Sequence, residues 1–150
     1  MRKLGYKTIK QSCNGFSLLE LLVVLVIMGI LTSIAFPAYT SYVARSKLTE
    51  AVSNLQDMRL SMEQFYQDNR TYLQANNTCA LTMPVLDNFT VTCINNTRRT
   101  YTLNASNVAG VGLGAAGDYV YTLDQDGVAT TVEYAGATVN EACLRVSNTC

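Results

Sequence analysis

The feature that most constrains this chain is an uncharged stretch from Leu21 to Ala44, 24 residues whose first half consists mainly of Leu, Val, Ile and Met. A helix needs about 20 apolar residues to cross the ~30 Å hydrocarbon core of a membrane. The stretch therefore predicts a membrane-spanning helix. A carboxylate, Glu20, borders it directly, and a charge beside hydrocarbon is costly enough that it should have a partner.

The residues before this stretch are basic. Among the first fifteen residues none is acidic and four are basic: Arg2, Lys3, Lys7 and Lys10. Because Lys and Arg stay on the cytoplasmic side of a membrane, residues 45–150 should lie on the opposite side. Without these four the chain has 7 basic and 11 acidic residues, a net charge of −4. That sign is wrong for a general nucleic-acid binder, which neutralises phosphates.

Three residues mark the junction between the basic and apolar parts: Gly15, Phe16 and Glu20. This arrangement resembles the class III signal of type IV prepilins. That signal has a basic leader that ends in Gly, followed by a segment with Phe at its first position and Glu at its fifth. The resemblance to type IV pilins and pilin-like proteins is close from Gly15 to about Lys47 and looser to the C-terminus. It implies that a prepilin peptidase cleaves after Gly15 and methylates the new amine of Phe16. It also implies that Glu20 pairs with the Phe16 amine of a neighbouring subunit.

The same resemblance implies an α+β fold, the type IV pilin roll, in which a long N-terminal helix packs on a four-stranded antiparallel sheet. Residues 1–15 would be the cleaved leader and residues 16–44 the transmembrane and filament-core helix. Residues 45–150 would be the periplasmic or extracellular globular domain, with the amphipathic half of the helix. The chain would wait in the inner membrane and then join an extracellular pilus.

The function implied is that of a structural subunit of a pilus that supports adhesion, twitching motility or DNA uptake. The partners implied are other pilin subunits, the prepilin peptidase, the assembly machinery of the inner membrane, and the membrane itself before assembly. DNA is a further partner, though the net charge gives it little support. No cofactor is implied.

Hydrophobic periodicity extends the predicted helix from residue 16 to about residue 69. Beyond Ala44, apolar residues recur at three- and four-residue steps, as on one face of a helix: Leu48, Ala51, Val52, Leu55, Met58, Met62, Phe65 and Tyr66. Gly29 and Pro37 lie inside this helix, and a proline removes a backbone hydrogen bond. We expect a kink near Pro37. In relatives, the segment between this Gly and this Pro can lose its helical form in the filament.

Four runs rich in β-branched and aromatic residues predict strands: Phe89–Ile94, Thr100–Ala105, Tyr119–Asp124 and Val128–Tyr134. Short connections make neighbouring strands antiparallel, and Asp126-Gly127 is a hairpin signal for the second pair. Residues 70–88 are polar and should form the loop from helix to sheet. The last sixteen residues should also form a loop.

Five cysteines indicate an oxidising compartment. Cys13 lies in the leader, and four remain in the domain predicted to lie outside the cytoplasm: Cys79, Cys93, Cys143 and Cys150. Four cysteines allow three pairings, of which Cys79–Cys93 with Cys143–Cys150 is favoured because each bond closes a short local loop. A zinc site is the alternative, but the chain has no His and no close Cys pair of the structural-zinc type.

Two short motifs imitate ligand sites. Residues 112–117 match G-x-G-x-x-G, but a dinucleotide site needs a helix after it, and a strand-like run follows here, so a flexible loop is the better interpretation. Asp124, Asp126 and Gly127 match the start of a calcium loop without its other ligands, and turn chemistry accounts for them. With no His, no nucleophile beside a base and no metal constellation, we predict no enzyme activity and no metal site.

Three alternatives to a main structural subunit stay open. The segment TRRTYTLNAS and the cysteine-bounded tail are similar to PilE-like minor pilins, which initiate or decorate a fibre. A type II secretion pseudopilin resembles the first forty-odd residues but commonly lacks a disulfide-bounded tail. A DNA-uptake receptor on the pilin scaffold would contact DNA through Arg98 and Arg99, for which a solvated loop tip is the simpler interpretation.

Overall fold

The computed structural model describes residues 16–147, 149 and 150, so Gly15 and the rest of the predicted leader lie outside the described residues. The chain divides into two units, one that ends at Tyr39 and one from Thr40 to Cys150. The regular structure comprises α1 (Leu18–Asn69), β1 (Phe89–Ile94), β2 (Thr102–Asn107), β3 (Val120–Asp124), β4 (Ala129–Tyr134) and β5 (Ala137–Glu141).

The described part of the first unit is helical from Leu18 onward, and none of its side chains is buried. Its large apolar side chains range from 44% exposed at Val24 to 91% exposed at Leu18. An 18-residue window of α1 reaches a mean hydropathy of 2.6 and is long enough to span a membrane. The helix continues through Gly29 and Pro37, so a kink or a loss of helix between them stays a prediction.

In the second unit, one face of α1 is buried. Its buried positions recur at steps of three and four residues: Leu48, Ala51, Leu55, Met58 and Met62. Val52, Phe65 and Tyr66 lie at the edges of this face and are half-buried. The predicted amphipathic stripe is therefore confirmed, and it forms the helical half of the hydrophobic core.

The sheet forms the other half of the core. Its five strands are antiparallel neighbours in the order β1-β2-β3-β4-β5. Side chains alternate between the two faces of a strand, and one cross-strand row on the buried face runs through Val91, Ala105, Tyr121 and Thr131. The alternating apolar positions that predicted the strands are thus the ones that pack on α1.

The prediction of four strands is wrong by one, because part of the tail predicted as loop forms β5. Strand β4 turns into β5 through Ala135 and Gly136, with Tyr134 opposite Ala137. Both turn residues have positive φ, 53° and 75°, as in the type I′ turns of two-residue hairpins. Asn-Gly or Asp-Gly usually signals such a turn, and Ala-Gly does not.

Strand β2 also begins and ends two residues later than predicted. The hydroxyl of Thr97 accepts a hydrogen bond from the Thr100 N–H at 2.9 Å, and the Thr97 N–H donates to the Thr100 carbonyl at 2.8 Å. Thr100 therefore belongs to the β1–β2 turn. At the other end of the strand, Asn107 pairs with Phe89.

The glycine-rich segment after β2 connects two strands, as expected, but hydrogen bonds hold its backbone. The buried amide of Asn107 donates to the Ala115 carbonyl at 2.8 Å and accepts from the Tyr119 N–H at 2.9 Å. Asp118 accepts from the Ala115 N–H, and Lys47 of α1 donates to the Val111 carbonyl. The expectation of a loop between strands is therefore confirmed, and its flexibility stays a prediction.

Candidate functional site

The N-terminal features predicted for assembly are accessible where the structure describes them. Phe16 is 80% exposed. The hydroxyl of Ser17 accepts a hydrogen bond from the Leu19 N–H at 3.3 Å, as an N-cap does. Glu20 is exposed in the first turn of α1, where a carboxylate interacts favourably with the helix dipole. Cleavage at Gly15, methylation of Phe16 and pairing of Glu20 stay predictions.

A cleft of about 500 Å³ lies between the loop that follows α1 and the β1–β2 loop. Two arginines line it, Arg70 and Arg98, and Arg99 follows Arg98 in the chain. Its other polar lining consists of Asn69, Thr71, Gln74 and Asn77, with Phe65, Leu73 and Ala75 as the apolar part. We call this site the arginine cleft.

Three connections hold the two loops of the arginine cleft together. A disulfide joins Cys79 to Cys93, with a Cα–Cα distance of 6.3 Å. The backbone N–H of Tyr72 donates to the carbonyl oxygen of Arg98 at 3.1 Å. The amide of Asn96 donates to the carbonyl of Asn77 at 3.4 Å. Because the connections are covalent and backbone-based, Arg98 stands on a loop whose position is set by the neighbouring loop.

The arginines themselves point to solvent. Arg70, Arg98 and Arg99 are exposed, and none forms an ion pair within 4 Å among residues 16–147, 149 and 150. Arg70 ends the helix in the left-handed conformation with φ of 56°, and its N–H still donates to the Tyr66 carbonyl at 2.8 Å. Three guanidinium groups are thus available to an anion at this edge of the molecule.

A half-buried carboxylate binds the phenol of Tyr72, which belongs to the loop that lines the cleft. Glu63 of α1 accepts hydrogen bonds from the hydroxyls of Tyr72 at 2.9 Å and Tyr101 at 3.3 Å. The two rings meet edge to face with centroids 4.7 Å apart, and Tyr66 stacks on Tyr72 at 4.5 Å. Arg59, four residues before Glu63, makes no ion pair with it within 4 Å in the described part of the chain.

Both phenols of this network resist ionisation. Burial and then the hydrogen bond to Glu63 raise the pKa of Tyr72 to about 12. Burial raises the pKa of Tyr101 well above its ordinary value of about 10, and the negative charge of Glu63 raises it further. Neutral phenols can donate to the carboxylate, so the network that joins α1, the following loop and β2 persists at neutral pH.

Charge is segregated along the chain. Residues 69–86 and 94–106, which contain both loops of the arginine cleft, carry three arginines and no acidic residue. Residues 118–141 carry five acidic residues and no basic one. The net charge of −4 outside the leader therefore hides a locally positive edge, and it is this edge that bears on anion binding.

Arg145, by contrast, forms an ion pair and packs on an aromatic ring. Its guanidinium pairs with Glu141 at 3.1 Å and lies 4.2 Å from the centroid of the Tyr134 ring. Glu141 also lies close to Cys143 and Cys150 in a geometry that could suit a metal ion. The two cysteines form a disulfide with a Cα–Cα distance of 6.0 Å, however, so their sulfurs are not thiolate ligands.

Sequence reasoning identified Arg98, Arg99 and the four cysteines but missed Arg70 and the amides of the cleft. Both disulfides in the structure have the pairing that loop length favours. Arg70 stands 28 positions before Arg98 and belongs to no motif. The one available signal was the absence of acidic residues from both segments.

Two family models match this chain, one over the N-terminal apolar helix and one over the region that follows it. Residues 10–36 match the family model for the prokaryotic N-terminal methylation motif. This match includes Gly15, Phe16 and Glu20. Residues 37–116 match the family model described as type IV minor pilin ComP, DNA uptake sequence receptor. This second match includes Arg70, Arg98 and Arg99.

Several curated pilins resemble the chain over part of their length. The fimbrial protein EcpC of Eikenella corrodens is 43% identical over 60 residues, 40% of this chain and 39% of that protein. A type IV major pilin protein PilE1 of Neisseria gonorrhoeae is 32% identical over 74 residues, 49% of this chain and 45% of that protein. The chain thus matches less than half the length of these curated relatives.

A solved structure shares the fold. The non-core minor pilin PilV of Neisseria meningitidis aligns with a TM-score of 0.51 at 22% identity, over 69% of this chain and 95% of that one. The ComP family model, moreover, covers residues 37–116, just over half of the 150 residues. With its methylation motif, long apolar helix and antiparallel sheet, the chain belongs to the ComP family of type IV minor pilins.

Proposed function

We propose that this protein is a minor subunit of a type IV pilus and that its arginine cleft binds DNA during uptake. The observation that carries the proposal is the cleft itself, where Arg70, Arg98 and Arg99 stand on two fastened loops that contain no acidic residue. The description of the matched family as a DNA uptake sequence receptor supports it. The main alternative is an abundant structural subunit without a DNA site.

The arginines and the amides of the cleft suit different parts of a DNA duplex. Guanidinium groups form strong paired hydrogen bonds with phosphates, and such contacts position a protein on DNA without reading its sequence. The amides of Gln74 and Asn77 offer both donors and acceptors, which suit the edges of bases. We assign affinity to the arginines and discrimination between sequences to the amides.

Assembly follows from the N-terminal segment. The chain would insert into the inner membrane through residues 16–44, lose its leader after Gly15 and be methylated at Phe16 by the prepilin peptidase. Glu20 would then pair with the Phe16 amine of a neighbouring pilin, since an attraction between opposite charges is strong where water is excluded. The assembly machinery would pass the subunit into the pilus and expose the cleft at the cell surface.

DNA binding by the mature chain, residues 16–150 in detergent micelles, tests the cleft. Fluorescence anisotropy with a labelled duplex should show an affinity that falls steeply with salt. Arg98→Gln with Arg99→Gln should weaken binding about tenfold per arginine, because each removes a charge-assisted hydrogen bond, and should lower the salt slope by about 2. Arg45→Gln, an exposed arginine outside the cleft, is the matched control and should change the affinity less than about twofold.

Sequence discrimination needs a separate measurement. Duplexes selected from a random pool should bind the wild-type chain more tightly than scrambled duplexes of the same length. Gln74→Ala with Asn77→Ala should reduce that ratio and leave binding to scrambled DNA unchanged. Equal loss on both kinds of duplex would contradict the assignment of these amides, and unaffected binding by the arginine double variant would contradict the DNA site.

Intact mass and N-terminal sequencing of the protein from sheared fibres test assembly. A chain that begins at methylated Phe16, present in small amounts and depleted by Glu20→Ala, is expected of a minor pilin. An abundance equal to that of the main subunit would favour the structural alternative. A chain that still begins at Met1 in its native host would contradict processing altogether.

A further inference from the structure

A second polar cleft, of about 290 Å³, lies in the larger unit between the start of its helix and the sheet. Ser41, Ala44, Arg45 and Leu48 line it on the side of α1, and Tyr119 and Tyr134 line it on the side of the sheet. We call it the juxtamembrane groove. It shares no lining residue with the arginine cleft.

The groove combines an apolar floor with one available cation. Arg45 is exposed and makes no ion pair within 4 Å among residues 16–147, 149 and 150. The half-buried Ala44 supplies aliphatic surface, and the phenols of Tyr119 and Tyr134 can donate hydrogen bonds. The two rings meet edge to face at 5.1 Å, so the hydroxyl-bearing wall is a packed unit. Such a lining suits a small anion attached to an apolar group.

The position of Arg45 in the chain indicates which anion. Arg45 is the first charged residue after the uncharged run of residues 21–44. As a helix at 1.5 Å per residue, this run is about 36 Å long, slightly more than the ~30 Å hydrocarbon core. Tyr39 and Tyr42 near its end are 68% and 73% exposed, and Tyr with Arg is the combination that marks a membrane–water interface. In the membrane, Arg45 therefore stands at the level of the headgroups.

We infer that the juxtamembrane groove binds the headgroup of an anionic phospholipid while the subunit is in the membrane. The guanidinium of Arg45 would bind the phosphate, the phenols of Tyr119 and Tyr134 would donate to phosphate or glycerol oxygens, and the glycerol backbone would lie on Ala44. The inference rests on the proposed membrane insertion. It gives the unassembled subunit a lipid contact that it must release when it enters the fibre.

Native mass spectrometry of the mature chain tests the inference. The chain is placed in nanodiscs of phosphatidylglycerol and phosphatidylcholine in equal parts, extracted, and weighed with its retained lipids. The wild-type chain should retain one phosphatidylglycerol in preference to phosphatidylcholine. Arg45→Gln should lower the retained fraction at least fivefold, and Tyr134→Phe should lower it by a smaller factor, since the ring stays in place. Arg99→Gln, at an exposed arginine outside the groove, should retain lipid like the wild type.

Two controls keep the result interpretable. Circular dichroism should show equal melting temperatures for the wild type and Arg45→Gln, because Arg45 is exposed. Incorporation into the nanodiscs is measured separately, so a failure of membrane insertion is distinguished from a failure of the groove. Equal retention of both lipids by the wild type, unchanged retention by Arg45→Gln, or equal occupancy by free glycerol phosphate would each overturn the inference.

Discussion

Each edge of the sheet has a disulfide and a nearby arginine, but only one of the two arginines forms an ion pair in the described chain. Beside β1, the disulfide Cys79–Cys93 fastens a loop next to Arg98. Beside β5, the disulfide Cys143–Cys150 closes a tail that contains Arg145. At the first edge the arginine is exposed without an ion pair in the described chain, and at the second it is paired with Glu141 and covered by Tyr134.

This difference shows which arginine has a charge available to a ligand: Arg98 is exposed without an ion pair in the described chain, whereas Arg145 is paired. The β1 edge has no acidic residue in either of its loops, whereas residues 118–141 supply five. An arginine close to those carboxylates forms an ion pair within the molecule, as Arg145 does with Glu141. The net charge of the whole chain conceals the contrast, because it sums the positive and the negative segments.

Removing each disulfide should give the largest losses of stability, and the effect on DNA binding should differ between the two edges of the sheet. Cys79→Ser with Cys93→Ser releases a longer loop than Cys143→Ser with Cys150→Ser, and the expected losses of unfolding free energy are about 3 and about 2.5 kcal/mol. Only the first pair should also weaken DNA binding, because only that bond holds the arginine cleft. Urea denaturation and anisotropy measure the two quantities. Equal effects of both pairs on DNA would contradict the comparison.

Thr131→Val should destabilise the β5 edge by about 2 kcal/mol. The hydroxyl of Thr131 is fully buried, donates to the Cys143 carbonyl at 2.6 Å and accepts from the Arg145 N–H at 2.9 Å. Valine has the same shape and leaves both backbone groups without this partner. Urea denaturation provides the measurement, and Thr92→Val at an exposed position of β1 is the control. A loss no larger than that of the control would show that the tail is held by other contacts.

Arg145→Gln sharpens the contrast between the two kinds of arginine. It should lower the unfolding free energy by about 1 kcal/mol, through loss of the ion pair and the ring contact. DNA affinity should stay within about twofold of the wild type, unlike that of Arg98→Gln with Arg99→Gln. A tenfold loss of DNA affinity would place Arg145 in the DNA site and remove the distinction.

Ala135→Asn should stabilise the protein by about 0.5 kcal/mol, since Asn tolerates the left-handed conformation better than Ala. The residue has φ of 53° in the turn before β5, and the change creates the Asn-Gly pair that type I′ turns prefer. Thermal unfolding measures the gain. Ala137→Asn, an exposed position in the extended strand that follows, should give none, and an equal gain there would argue against the turn as the cause.

The free energy of unfolding should stay constant up to about pH 10 and fall at higher pH. Burial raises the folded-state pKa of Tyr72 to about 12 and that of Tyr121 further above its usual range, whereas the unfolded value is about 10. Stability is therefore complete below about pH 10 and declines as pH rises toward the folded pKa values. Tyr72→Phe and Tyr121→Phe should each make the decline shallower in urea denaturation between pH 9 and pH 12. An unchanged slope would show that these phenols do not govern it.

Much of the fold could be predicted because its elements depend on local patterns. The steps of three and four residues from Leu48 to Met62 predicted the buried face of α1, and alternation predicted β1 to within a residue. Strand β5 escaped prediction because it follows an Ala-Gly turn, where an alanine takes a conformation that the tertiary structure imposes.

The candidate site was less predictable, because it depends on contacts between distant segments. Arg98 and Arg99 were recognisable as a basic pair, but nothing near Arg70 indicates that it lines the same cleft. Arg145 pairs with Glu141 only four positions before it, whereas its contact with the Tyr134 ring depends on the turn between β4 and β5.

The sequence by itself determined the long apolar run, the pilin signature, the amphipathic helix and the strands that hydrophobic periodicity describes. These properties follow from residues that are neighbours along one helix or one strand, so their physical basis is local. The tertiary structure alone decided which arginines share a cleft and how the tail completes the sheet. Each of these depends on strand register and on loop closure, which bring together residues far apart in the chain.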